Sequence, residues 1–404
     1  MRACEICRDG VCEQEYSGHD MSKKNEPKIS PETVAAQGLG WIDQTTRAVT
    51  PPVHVSTTFE RDPDNLYRSG RNYSRTDNPT YDQPEAVLAS LEGGKAAMLF
   101  GSGMAAATAL FQTLSPGDHV IAPKVMYWSL RNWLIAFAKQ WQLGLDLVDM
   151  RDTSAVKAAM VPGRTKLVWA ETPANPMWDV TDIAAVAEIA HAASARFAVD
   201  STAATPVLSH PLALGADIVM HSATKYLNGH SDVIAGALVT GAEDALWERL
   251  KLLRLQHGSV LGPFEAWLLL RGMRTLFPRV RTAVVNAQFL AERLSGNPHL
   301  DAVLYPGLPD FPGHAVAARQ MKGGFGGMLS ICVKGGADAA VRAAANVRVW
   351  KRATSLGGVE SLMEHRASVE GAGSPVPGNL LRLSAGIEDR NDLLADLEEA
   401  LKAR

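Results

Sequence analysis

The chain has 404 residues, 46% of them hydrophobic, which is enough for more than one packed core. Its 40 lysines and arginines against 43 aspartates and glutamates leave a net charge of -3, so there is no basic field for nucleic acid and no charge block for a polyanion, and a small-molecule partner is expected. No apolar run is long enough to span a bilayer and the N-terminus lacks the apolar segment of a secretory signal, so a cytoplasmic location is the expectation.

Cys4, Cys7 and Cys12 crowd the start of the chain, with His19 downstream. They lack a second well-spaced ligand pair, so no metal is expected, and residues 1–30 read as a disordered extension in which Met21 is a candidate start. Residues 31–81 are rich in Pro, Thr, Asn and charge without a sustained helical period. They read as an N-terminal arm with short helical pieces that contacts a neighbouring subunit. From 82 to 285 the texture changes to strand candidates at 97–100, 119–122, 145–148, 166–169, 197–199, 218–220 and 234–239. Helical segments lie between several of them, most clearly at 183–193. That alternation predicts an α/β fold with a mostly parallel central sheet covered on both faces, whose ligands sit at the carboxyl ends of the strands. Residues 286–404 read as a smaller C-terminal α+β domain containing the stretches 326–331, 355–360 and 381–384 and a terminal amphipathic helix from Asp389.

The chemistry concentrates after the run Ile218-Val219-Met220, in His221-Ser222-Ala223-Thr224-Lys225-Tyr226. An amine attacks a carbonyl only when unprotonated, and desolvation depresses a lysine pKa enough to allow that. Ser222 and Thr224 offer neutral hydrogen bonds to phosphate oxygens. Gly101-Ser102-Gly103, between a strand and a helix, exposes backbone N–H groups at the positive end of a helix dipole. The same glycines satisfy Gly-x-Gly-x-x-Ala, but the position behind an arm and the want of a well-placed ribose partner argue against a dinucleotide. Asp200 ends an apolar run and is suited to hold the protonated nitrogen of a pyridine ring. Singly, Lys225 reads as a solvated loop residue, Asp200 as a helix cap and Tyr73-Ser74-Arg75 as surface. Together with an aromatic at Tyr127 they meet the separate needs of one aldehyde cofactor.

At this point the chain resembles the Cys/Met metabolism (trans-sulfuration) enzymes that use pyridoxal 5′-phosphate (PLP), the family of cystathionine γ-synthases and γ-lyases, cystathionine β-lyases and methionine γ-lyases. The resemblance rests on Tyr73-Ser74-Arg75, Ser102 to Ala106, Glu171-Thr172-Pro173-Ala174-Asn175-Pro176, His221 to Tyr226, Gly229-His230-Ser231-Asp232, Ser355 to Ser361 and Arg382 to Glu388. It implies the type I, aspartate-aminotransferase-like fold and a homotetramer whose active sites are shared across a dimer. By the same resemblance Lys225 is the imine-forming lysine and proton shuttle, and Asp200 the pyridinium partner. The Gly103 and Met104 amides with Ser222 and Thr224 resemble the phosphate cradle, Tyr73 and Arg75 the pair donated by the adjacent subunit, and Tyr127 the ring-stacking tyrosine. Lys225 and Tyr127 are thus the catalytic candidates. Arg382, assisted by Ser355 and Asn175, is similar to the group that grips the substrate α-carboxylate through a bidentate fork.

The departures bear on the substrate. Thr354 stands where cystathionine enzymes of the family commonly carry an acid for the distal ammonium. Leu356 replaces the tryptophan typical of bacterial β-lyases, and Trp128-Ser129 replaces the Gly-Cys of many methionine γ-lyases. These changes point to γ-elimination on a γ-substituted L-amino acid of the homoserine, methionine or canavanine type, with plain methionine disfavoured. The alternative is γ-replacement on O-acyl-L-homoserine, and a β-lyase is less favoured. Glu364 and Glu370, in Glu364-His365-Arg366-Ala367-Ser368-Val369-Glu370, are candidates to meet a cationic distal group, with a structurally paired glutamate as the competing reading.

Overall fold

The computed structural model describes residues 29–371 and 373–402, so Cys4, Cys7, Cys12, His19 and nearly all of the expected 1–30 extension lie outside the described residues. The first expected strands are all present, as β1 (Ala96–Phe100), β2 (His119–Pro123), β3 (Gly144–Val148), β4 (Thr165–Glu171), β5 (Arg196–Asp200), β6 (Ile218–His221) and β7 (Gly236–Thr240). They form a seven-stranded sheet in the order β1-β7-β6-β5-β4-β2-β3. β3, β2, β4, β5 and β6 pair in parallel, while β7 runs antiparallel to both β1 and β6. Every residue of β2, β6 and β7 is buried, as expected of strands covered by helices on both faces, whereas edge strand β3 is only half-buried. One face packs Phe100, Phe111, Trp169 and Trp247, the other Phe197, Val199, Ile183 and Val186.

The arm holds a short helix, Pro31–Gln37. The helix Pro79–Glu92 starts inside the expected arm because Asn78 caps it, its side-chain oxygen accepting the Thr80 N–H at 2.8 Å, with Pro79 in the first turn. The 19-residue helix Leu276–Leu294 runs unbroken through position 285, where the boundary was expected, and one apolar stripe (Val280, Ala283, Val284, Ala287, Leu290, Leu294) stays buried along its length.

The second sheet comprises β8 (Leu300–Leu304), β9 (Met328–Val333), β10 (Lys351–Arg352), β11 (Leu362–His365) and β12 (Leu380–Ser384), in the order β10-β11-β12-β9-β8. The terminal helix Arg390–Lys402 buries Leu393, Leu397 and Leu401. Residues 355–360 form no strand and serve as a loop beside the first sheet. A buried hydrogen-bond pair ties the two units together: Trp178 Nε1 donates to Ser330 Oγ at 2.9 Å, and that hydroxyl donates to the Pro176 carbonyl at 2.8 Å.

The turn after β6 is clamped by a buried arginine. Arg279 donates to the carbonyls of Tyr226 at 2.8 Å and Gly272 at 2.7 Å, and burial without a carboxylate partner among the described residues pushes its pKa down to about 10. A buried guanidinium without a carboxylate is costly unless its N–H groups are satisfied, and here Nε also donates to the Thr275 hydroxyl at 3.1 Å. The helix Pro263–Met273 approaches the same turn so closely that a Cβ on Gly272 would lie 2.3 Å from the Asn228 carbonyl oxygen. Gly272→Ala is therefore expected to destabilise the protein by about 1–3 kcal/mol through overpacking. Thermal unfolding measures this, and an unchanged melting temperature would contradict the close approach.

Candidate active site

The cleft lies where parallel strands end, because each strand delivers its last side chain to the same edge of the sheet. β4 ends on Glu171, β5 on Asp200, and β6 leads into Ser222, Thr224 and Lys225. The chain leaving β1 turns at Gly101 and opens the helix Gly103–Phe111, capped by Ser102, whose hydroxyl accepts the Ala105 N–H at 3.0 Å. The cleft has a volume of about 330 Å³. Of the residues singled out from sequence, Gly103, Met104, Tyr127 and Asn175 line it, as do Asp200, Ser222, Thr224 and Lys225.

The Lys225 amine donates to Ser355 Oγ at 2.7 Å. Burial first, and then the Arg382 charge, hold its pKa down at about 8, well below the ordinary lysine range. Ser355 sits at φ +92°, a left-handed conformation that a serine rarely adopts and that packing must enforce. Asp200 is buried, its Oδ1 accepts the Thr202 N–H at 3.0 Å, and burial raises its pKa. It makes no ion pair among the described residues. A carboxylate left this way wants a cation or a proton delivered from the cleft.

The residues present fit PLP. The first N–H groups of a helix have no partner within it, so those of Gly103 and Met104 are available to an anion. A Cβ on Gly103 would come 2.8 Å from Ser222 Oγ, so glycine there keeps the cradle open. Thr224 lines the cleft as well. Its hydroxyl donates to the Ala235 carbonyl at 3.1 Å and accepts the Ala235 N–H at 2.9 Å, which commits its hydrogen to bracing the loop.

Arg382 on β12 reaches the same region. Its Nη1 donates to Asn175 Oδ1 at 3.2 Å and its Nη2 to the Ser355 carbonyl at 2.8 Å. Burial pushes its pKa down to about 10. Three expected site residues are not brought to the cleft. Tyr73 and Arg75 line a separate surface hollow with Arg61 and Tyr67, and Thr354 is exposed. Glu370 is corrected outright: it is buried, with Oε1 bound by the Arg366 guanidinium at 2.8 Å and Oε2 by the Ser374 hydroxyl. Glu364 is likewise held by Arg366 and Arg382, at 2.6 Å each. Glu370 thus has both oxygens engaged, whereas the two guanidinium groups on Glu364 share its Oε2.

Sequence reasoning missed Glu171. Its Oε2 accepts the Tyr127 N–H at 2.7 Å and its Oε1 the Asn175 N–H at 2.8 Å, so one carboxylate fixes both the cleft tyrosine and the cleft asparagine. It also pairs in register with Asp200 across β4 and β5. Burial, and then the Asp200 charge, push it up to about 8. Its place at the end of an apolar strand beside Asp200's strand was the available signal. Thr202 was missed as well; its hydroxyl accepts the Ser222 N–H at 2.8 Å.

The depressed lysine has a kinetic consequence. In cofactor-free protein, imine formation at Lys225 with added PLP, followed by absorbance, is expected to accelerate as pH rises through about 8 and then level off. A rate still climbing beyond pH ~10, the ordinary lysine range, would contradict a buried amine.

The pattern of the family described as Cys/Met metabolism PLP-dependent enzyme matches residues 32–402. The chain is 47% identical over 365 residues to the cystathionine gamma-synthase of Mycobacterium tuberculosis strain H37Rv, covering 89% of this chain and 93% of that protein. It is 40% identical over 389 residues to the cystathionine gamma-lyase of Dictyostelium discoideum, covering 94% and 99%. The crystal structure of metB from Corynebacterium glutamicum superposes with a TM-score of 0.89 at 41% identity, covering 93% of this chain and 98% of that one. With a match over nearly its whole described length and a cleft that fits the cofactor, the chain belongs to the PLP-dependent Cys/Met metabolism enzymes.

Proposed function

We propose that this enzyme catalyses γ-elimination on a γ-substituted L-amino acid of the homoserine level whose γ substituent carries no cation. The observation that supports this reading best is the commitment of Glu364 and Glu370 to buried arginines, which neutralises that segment's charge and disfavours its use for a distal ammonium or guanidinium. Part of the cleft lining is apolar instead, including Leu130, Leu356 and Ile234, the last 67% exposed. A cationic group such as that of canavanine, expected from sequence as one option, is therefore dropped.

PLP supplies an aldehyde that takes up amines and a ring that withdraws electrons from the α carbon. The protein's own groups do the rest. The Gly103 and Met104 amides and Ser222 would hold the phosphate, Asp200 would keep the ring nitrogen protonated, and Tyr127 would supply an aromatic contact. Arg382 and Asn175 grip the α-carboxylate. Lys225, with no carboxylate hydrogen bond among the described residues and oriented by Ser355, takes the α proton and returns protons along the substrate so that the γ substituent leaves. Hydrolysis then yields a 2-oxo acid and ammonia.

The second reading is γ-replacement, supported by the 47% identity to a cystathionine gamma-synthase. Incubation with O-acyl-L-homoserine alone separates the two. Elimination predicts 2-oxo acid without added thiol, lost at least ~100-fold in Lys225→Ala, whereas product that appears only with cysteine or sulfide would establish replacement.

Tyr73 and Arg75 lie outside their own chain's cleft, which supports their donation to a second copy. Mixing inactive Lys225→Ala subunits with inactive Arg75→Ala subunits is then expected to restore activity, since half of the sites in a mixed dimer carry neither lesion. Mixtures as inactive as their components would contradict shared sites.

A further inference from the structure

Arg382 is one end of a buried chain of alternating charge. Directly across the antiparallel β11–β12 register lies Glu364, and Arg382 Nη2 meets its Oε2 at 2.6 Å. Arg366 Nη1 meets that same oxygen, also at 2.6 Å. The other edge of Arg366 is spent on Glu370 Oε1, with Nε at 3.1 Å and Nη2 at 2.8 Å. Arg366 and Glu370 stand four residues apart on the short helix Arg366–Glu370, the spacing that places an acid and a base side by side. All four side chains are buried.

A carboxylate paired with a single arginine would largely cancel that arginine's attraction for an incoming anion. Here two guanidinium groups share one oxygen of Glu364, so part of its charge is drawn away from Arg382. The buried setting makes the division count, because charges screened from water act more strongly on one another.

We propose that Arg366 is a positioning residue that sets the grip of Arg382 on the substrate α-carboxylate by competing for Glu364, and that Glu370 restrains Arg366 in that competition. The inference rests on the reading of Arg382 given above. It makes the two outer members of the chain act with opposite sign. Removing Arg366 hands Glu364 wholly to Arg382 and weakens carboxylate binding. Removing the charge of Glu370 turns Arg366 more fully onto Glu364 and leaves carboxylate binding unchanged or tighter.

The test compares Arg366→Met, Glu370→Gln and the double variant Arg366→Met/Glu370→Met, which removes both charges and leaves no unpaired acid at Glu370 should the single variant fail to fold. KM and kcat are measured with the best γ-substituted amino acid and with its α-carboxamide, and binding of L-alanine by calorimetry. The expected result is a KM about tenfold higher for the acid in both Arg366 variants with kcat little changed, a matching loss of L-alanine affinity, and no such change for the amide. Glu370→Gln is expected to leave KM for the acid at or below that of the unmodified enzyme. Unaltered KM in the double variant, or KM rising alike for acid and amide in all variants, would overturn the proposal. Unaltered KM in Arg382→Ala would instead overturn the reading of Arg382 itself.

Discussion

An amine that must be neutral to react is held in a buried cleft with no acid in direct contact. Lys225 Nζ rests on the hydroxyl of Ser355, and burial together with Arg382 keeps its pKa near 8. An adjacent carboxylate would hold the amine protonated and inert. Much of the surrounding structure follows from that constraint. The turn that carries Lys225 is pinned through its carbonyls by Arg279, not by an acid, and Gly229 is required there because a Cβ would lie 1.8 Å from Arg279 Nη1. The hydroxyl that receives the amine comes from the C-terminal part of the chain, in a backbone conformation that only packing can enforce.

The buried carboxylates are sorted by what they are given as partners. Among the described residues Asp200 has a backbone N–H and no cation, Glu171 is engaged by two backbone N–H groups, and Glu364 and Glu370 are bound by guanidinium groups. These arrangements have different outcomes from one residue type. The first suits a charge supplied from the cleft, the second organises neighbouring backbone, and the third is paired with opposite charge within the protein. A glutamate near a substrate motif is therefore no indication of substrate contact until its partners are known.

The similarity of this chain to both a synthase and a lyase has a physical basis in the same arrangement. Gripping an amino acid by its carboxylate, taking its α proton and expelling a γ substituent are common to both outcomes. What differs is which nucleophile is admitted afterwards. The exposed side chains in the cleft lining of this chain include Ile234 and Tyr127, 67% and 41% exposed.

The strands, the order of the elements, Lys225, Asp200 and the Gly103 cradle were legible in the sequence because each is a local pattern: an apolar run, then a residue of the right chemistry where the run ends. The sequence by itself thus determined the α/β sheet and the cofactor, and it pointed to the residues that the fold gathers at one edge of that sheet. It could not show that Thr224 spends its hydroxyl on Ala235, that helix Leu276–Leu294 crosses the drawn boundary, or that Glu171 serves Tyr127 and Asn175 at once. Only the tertiary structure decided the partners of Arg382, which include an asparagine 207 positions away and a glutamate set opposite by strand register. A charged side chain's role depends on which opposite charges and hydrogen-bond groups surround it once water is excluded, and those neighbours come from distant parts of the chain.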